Sequence, residues 1–192
     1  MFSTLIELQR LKNLGRTGWT LRGLPPGTES VAAHSFGVTV TAMMLSDELA
    51  VRGTMVDLER LLRMALLHDW SEARLGDLPK TATEYFGADT RKQAELVAFD
   101  DVIGGLDAGE TLYRQSYEDY ERRASLEARL VKAADVIDLL VQVLALERAG
   151  ARGLDEFWEV ANEGDFGLQG AAQEIVKEVL QSLLAAHAEI DK

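Results

Sequence analysis

The chain has 192 residues, enough for one domain with a substantial core. With 47% apolar and 27% charged residues it is globular in composition, and its 32 acidic and 20 basic side chains give a net charge of −12, which argues against non-specific nucleic-acid binding. Cysteine is absent and histidine occurs three times, at His34, His68 and His187, which excludes disulfides, thiolate metal sites, cysteine nucleophiles and iron–sulfur clusters. Phe2, Leu5, Ile6 and Leu8 open an amphipathic segment running to about Asn13. Gly15 to Glu29 follows, with four glycines and two prolines, and reads as an ordered loop of a length often tied to function. Ser30 can cap a helix from Val31 to about Ala50, and Asp57 a second from Leu58 to about Trp70. Gly76-Asp77-Leu78-Pro79 breaks the pattern. Further helical periods cover roughly 90–103, 110–123, 126–149 and 167–190, with Gly150 and Gly153 as helix-ending positions. The expectation is an all-α fold of about seven to nine helices in a single domain spanning 1–192.

No run reaches the roughly 20 apolar residues of a membrane span. The first residues carry Glu7, Arg10 and Lys12 and lack a secretory signal's apolar stretch. A soluble, cytoplasmic protein is expected. Charge is unevenly spread: residues 1–60 hold six basic and six acidic side chains, so all of the −12 lies beyond them. Arg10, Lys12, Arg16 and Arg22 fall in or beside the glycine-rich loop. This segment is the one equipped to meet an anionic substrate, unless it is an ordinary mixed-charge surface.

Without thiolates, a metal site must combine few imidazoles with several carboxylates. Leu58, Leu61, Leu62 and Ala65 form one apolar stripe, and at about 100° per residue Asp69 projects onto it with His68 at its edge. A carboxylate there is costly unless paired or metal-bound; the alternative is that the helix has ended and Asp69 faces water. His34 shares an apolar face with Val31, Val38 and Leu45, as a ligand or as a satisfied core histidine. The run Leu130 to Leu146 is apolar nearly all round, with Lys132, Asp135, Asp138 and Gln142 in one polar stripe. That stripe is either the solvent side or a seam facing an internal site. Glu72 stands four residues after His68, and Asp77 follows Gly76, where the chain can turn sharply. The two acids suit proton transfer beside a metal, or a surface position for Glu72 and a helix cap for Asp77. Trp19 is a substrate wall or a hydrophobic plug.

The order His34, His68-Asp69, Asp135 resembles the HD-domain metal-dependent phosphohydrolases. Arg16-Thr17-Gly18-Trp19, Glu29-Ser30-Val31-Ala32-Ala33-His34-Ser35, Leu67-His68-Asp69-Trp70-Ser71-Glu72, Gly76-Asp77-Leu78-Pro79 and Lys132-Ala133-Ala134-Asp135 are similar to the 5'-deoxynucleotidase (YfbR-like) branch. The resemblance covers about residues 5–145; the metal-site core would be about 30–145, with C-terminal helices over 153–192. It implies hydrolysis of (deoxy)nucleoside 5'-monophosphates by in-line attack of water activated by one divalent transition metal: cobalt, manganese, nickel or zinc. It implies His34, His68, Asp69 and Asp135 as ligands, Glu72 and Asp77 as catalytic carboxylates, and Trp19 against the sugar, favouring deoxy substrates. A homodimer is also implied, while the acidic charge and the lack of an apolar span lead us to expect no nucleic-acid or membrane partner. Here Gly18 precedes Trp19 where characterised bacterial members carry Arg, so the phosphate-binding cations would be Arg16, Arg22 or both. The alternatives are a catalytically silent metal- or nucleotide-binding sensor and a phosphohydrolase acting on another phosphate ester.

Overall fold

The computed structural model describes residues 1–163 and 165–190; Gly164, Asp191 and Lys192, all within the expected 1–192 domain, lie outside the described residues. In chain order the helices are α1 (Phe2–Leu8), α2 (Thr17–Leu21), α3 (Val31–Val51), α4 (Leu58–Leu67), α5 (Glu72–Leu75) and α6 (Lys80–Phe86). They continue with α7 (Ala88–Ile103), α8 (Glu110–Arg122), α9 (Leu126–Arg148), α10 (Asp155–Glu163) and α11 (Gly170–His187). The 3₁₀ turns Gln9–Lys12 and Asp107–Gly109 add to these, and no strand occurs among the described residues. The all-α expectation holds. The helices beyond the expected seven to nine are short pieces, α2, α5, α6 and α10, that a long-period pattern does not register. No helix of the described residues is long and apolar enough to cross a membrane.

The chain divides into two compact units. The first comprises Met1–Ser35 and Leu67–Glu118. One apolar cluster there joins Leu11, Val31, Ala73 and Val102; a second joins Leu67, Phe99, Ile103 and Tyr117. Trp70 packs against both, and the Phe99 and Tyr117 rings stack with centroids 3.9 Å apart. Fully burying each such side chain contributes about 1.5–3 kcal/mol. Ser30 caps the start of α3 as expected, its Oγ accepting from the Ala33 amide at 3.1 Å. The glycine-rich loop is closed at its base by an isolated bridge between Gly15 and Ser30, with Arg16 N donating to Glu29 O at 3.0 Å and Val31 N to Leu14 O at 2.9 Å.

The second unit comprises Phe36–Leu66 and the chain from Asp119 onward. Its centre is α9, apolar nearly all round, with Leu130, Val131, Ile137, Leu140 and Val143 buried. Helices α10 and α11 pack on it. Ser125 caps α9 through the Ala128 amide at 3.1 Å, and Asp119 in turn accepts from Ser125 Oγ at 2.6 Å and Arg60 Nη2 at 2.7 Å. Gly37 lets α3 run close to α9: a Cβ there would lie 1.9 Å from Asp138 Oδ1. Gly150 adopts positive φ just past the end of α9, as its expected helix-ending position requires, whereas Gly153, also at positive φ, lies between α9 and α10 and ends no helix. Lys132, Asp135, Asp138 and Gln142, the residues of the polar stripe, are all half-buried.

Candidate active site

Helix α3 begins at Val31, and its first turn carries His34 inward, 1% exposed. Helix α4 stops at Leu67, earlier than the apolar period suggests. The next residues form a turn in which Trp70 N donates to Leu67 O and Glu72 N to Asp69 O, both at 3.1 Å. The ideal-helix projection therefore runs past the end of α4 before it reaches Asp69. The carboxylate is nevertheless enclosed, because Leu67 and Trp70 on either side are gripped by the core. Its side chain is 16% exposed, and that of His68 is 1% exposed.

These residues converge on one oxygen. Asp69 Oδ2 lies 3.2 Å from His68 Nε2, 3.8 Å from His34 Nε2 and 3.4 Å from Arg16 Nη1. The two imidazoles meet edge-on with centroids 5.6 Å apart. Burial works to raise the Asp69 pKa, but His68, Arg16 and His34 outweigh it and hold the carboxyl well below its ordinary range. Asp69 is thus ionised and acceptor-only. Two imidazole nitrogens and a carboxylate are a donor set suited to a divalent transition metal, and the residues present fit one.

The two further acids differ in their support. Gly76 takes φ +77°, turning the chain so that Asp77 follows directly. The Asp77 carboxylate accepts from the Thr17 amide, and Thr17 Oγ1 donates to Asp77 O at 2.7 Å. Asp77 thus meets the start of α2, in the glycine-rich loop, instead of capping the helix that follows it; Pro79 stands at the N-cap of α6. Glu72, which the sequence also allows on the surface, has an Oε2 out of solvent and without a hydrogen bond. Burial first, then the charges of Asp69 and Asp77, push its pKa well up, against smaller opposition from Arg16 and Arg91.

Among the expected substrate-binding residues, Arg16 lies between two acids, 3.4 Å from Asp69 Oδ2 and 4.0 Å from Asp77 Oδ1. Arg22 folds back on its own helix, Nη1 donating to Gly18 O at 3.4 Å. Trp19 is 2% exposed, and its indole Nε1 donates to Glu29 Oε2 at 2.8 Å. The first unit therefore brings together His34, His68, Asp69, Glu72, Asp77 and Arg16. Asp135 belongs to the second unit, where Lys132 Nζ lies 2.7 Å from its Oδ2 and the Tyr120 hydroxyl donates to it at 3.5 Å. The sequence reading missed Thr17 and Glu29 as supports, and Arg91, which stands in an unremarkable helical pattern.

Residues 8–164 match a family model described as the HD domain. The chain is 30% identical over 167 residues to the 5'-deoxynucleotidase YGK1 of Saccharomyces cerevisiae, covering 81% of this chain and 72% of that protein. It is 32% identical over 162 residues to the 5'-deoxynucleotidase HDDC2 of Danio rerio, covering 82% and 75%. Among solved structures, the PH0347 protein from Pyrococcus horikoshii superposes with a TM-score of 0.82 at 34% identity, covering 97% of this chain and 99% of that one. An HD-domain phosphohydrolase from Listeria innocua shares the fold at 22% identity, with a TM-score of 0.73 over 97% of this chain and 96% of that one.

Proposed function

Because the chain belongs to the HD domain family, we propose that it is a metal-dependent phosphohydrolase that removes the 5'-phosphate of deoxynucleoside 5'-monophosphates. The observation that carries this reading is the approach of His34 and His68 to one oxygen of Asp69, beside Glu72 and Asp77. The two relatives named 5'-deoxynucleotidase support the substrate class. A structural metal site has no use for the last two acids; hydrolysis has.

In this reading His34, His68, Asp69 and Asp135 hold one divalent transition metal: cobalt, manganese, nickel or zinc. The ion supplies Lewis acidity toward phosphate and a lowered pKa for water. Arg16 offsets charge on the non-bridging oxygens as water attacks phosphorus and the bond to the 5'-oxygen breaks. Glu72, with an oxygen uncommitted to any hydrogen bond, takes the water's proton and returns it to the leaving 5'-oxygen. Asp77, fixed by Thr17, orients the water. Trp19, pinned by Glu29, walls the sugar side and favours a deoxyribose, and Arg22 is the second candidate cation for the phosphate. The family resemblance adds a homodimer, which light scattering tests.

The deciding experiment is a phosphate-release screen over deoxyribo- and ribonucleoside 5'-monophosphates with manganese, cobalt, nickel, zinc and magnesium. Release from deoxynucleotides is expected. No release with any metal overturns the reading in favour of a silent metal- or nucleotide-binding protein. Trp19→Ala is expected to raise turnover of ribonucleotides relative to deoxyribonucleotides, and an unchanged ratio removes the loop from sugar selection.

A further inference from the structure

Helix α7 packs against both α5, which opens with Glu72, and α6, which follows Asp77. Arg91 stands near the start of α7. Its Nε donates to Glu95 Oε1, one turn on, at 2.6 Å, and its Nη1 to Thr83 Oγ1 of α6 at 3.2 Å. These two bonds fix the plane of the guanidinium. They leave Nη2 without a hydrogen bond among the described residues, on a side chain 26% exposed. The group lies within electrostatic reach of Glu72 and Asp77: both acids favour its charged form.

The charge balance gives this position a purpose. A nucleotide's phosphate brings about two negative charges to a place already holding Asp69, Glu72 and Asp77. Arg16 is shared between two of those acids, and Arg22 donates to a backbone carbonyl of its own helix. A guanidinium held by Glu95 and Thr83, with one edge uncommitted, is pre-organised for a phosphate oxygen and loses little entropy on meeting it. Resting on the phosphohydrolase reading above, we propose that Arg91 is a second anion-binding residue of the site, its Nη2 edge donating to a phosphate oxygen of the nucleoside monophosphate. Glu95 and Thr83 are its positioning residues.

The test compares metal-loaded, full-length wild type with Arg91→Gln and Arg91→Lys, and with Arg114→Gln as a control for lost charge. Arg114 pairs with Asp100 and Glu110 and has no part in the site. The readouts are KM and kcat for deoxyadenosine monophosphate and the inhibition constant of inorganic phosphate. Arg91→Gln is expected to raise KM and the phosphate constant about tenfold or more, with a smaller change in kcat. Arg91→Lys recovers part of this loss, keeping the charge without the fork, and Arg114→Gln matches wild type. A merely structural tie between α6 and α7 would lower kcat or the melting temperature while leaving the phosphate constant unmoved, and that result overturns the proposal. Should Arg91→Gln fail to fold, Arg91→Lys decides: a raised phosphate constant supports, an unchanged one overturns. If wild type hydrolyses no nucleotide, the functional reading has failed on its own terms. Calorimetric binding of inorganic phosphate then judges Arg91 separately, with equal or absent binding in wild type and Arg91→Gln counting against it.

Discussion

In the first unit, Asp69 Oδ2 is approached by His68 at 3.2 Å, Arg16 at 3.4 Å and His34 at 3.8 Å. In the second, Glu147 accepts from Trp158 Nε1 at 3.2 Å through one oxygen and from His187 Nδ1 at 2.8 Å through the other. There the indole and imidazole stack with centroids 4.3 Å apart. Both places join histidine to a buried carboxylate, so residue type does not separate them. Saturation does. Each Glu147 oxygen has its own donor, and the cluster ties α9 to α10 and α11. Around Asp69, three positive or donor groups crowd one oxygen, while the neighbouring Glu72 Oε2 has no hydrogen bond and an elevated pKa. A satisfied cluster stabilises a fold; a crowded, unsaturated one is arranged for something that arrives later.

Four substitutions sharpen or break this contrast. The largest effect is expected for Asp69→Ala. It should lose both bound metal and phosphate release, to background, in a protein that still folds, with the melting temperature lowered because Arg16 loses one of its two acidic partners. Metal analysis and calorimetry check this, and a collapse of stability with metal retained would make the Asp69 cluster structural after all. Next, Glu72→Gln should keep the metal and lose turnover by about 10²–10⁴-fold; loss of metal would instead make Glu72 a ligand. The mirror image is Glu147→Ala. It should cost about 1–3 kcal/mol in urea unfolding by orphaning Trp158 and His187, without altering kcat per folded molecule. A fall in kcat at full folding would erase the distinction between the clusters.

The smallest effect concerns Asp119, a second saturated acid. Burial works to raise its pKa, but hydrogen bonds from Ser125 and the charge of Arg60 outweigh it, and the pKa is lowered from 3.8. A carboxylate with a depressed folded pKa stabilises fully above its unfolded value and loses that contribution as pH falls through the folded one. Thermal melts should therefore show Asp119→Asn less stable than wild type at neutral pH. The two should converge under acid conditions below the ordinary carboxylate range. A gap that stays constant with pH would mean that Asp119 acts by packing alone.

The long helices are legible because their signals are local. Ser30 and Asp57 mark helix starts, Gly150 marks an end, and the apolar period carries α3, α7, α8, α9 and α11. The His34, His68-Asp69, Glu72 and Asp77 candidates are legible from residue order, and their roles only through the family resemblance. What is not legible depends on tertiary packing. The end of α4 at Leu67 is set by how Leu67 and Trp70 seat in the core, so projecting Asp69 along an ideal helix gives the right burial for the wrong geometry. Asp77 turns to Thr17, sixty positions away, and no cap rule anticipates that. Arg91 and Glu95 read as an ordinary i,i+4 pair on a helix surface. Only the packing of α7 on α5 and α6 gives Arg91 a neighbourhood.

The closed base of the glycine-rich loop also bears on how the protein can be modified. Paired backbone at Gly15 and Ser30, with the Trp19 indole bonded to Glu29, isolates the far end of the loop mechanically from its base. At that end Gly23 and Gly27 carry positive φ, and Pro25 and Pro26 are exposed. Loop-closure entropy grows slowly, about 0.6 kcal/mol for each doubling of length. The stretch between Gly23 and Gly27 is therefore a natural graft point. An epitope, a dye-bearing peptide or a short affinity tag spliced there would ride on the exposed tip of the loop while Arg16 and Trp19 keep their places at its root.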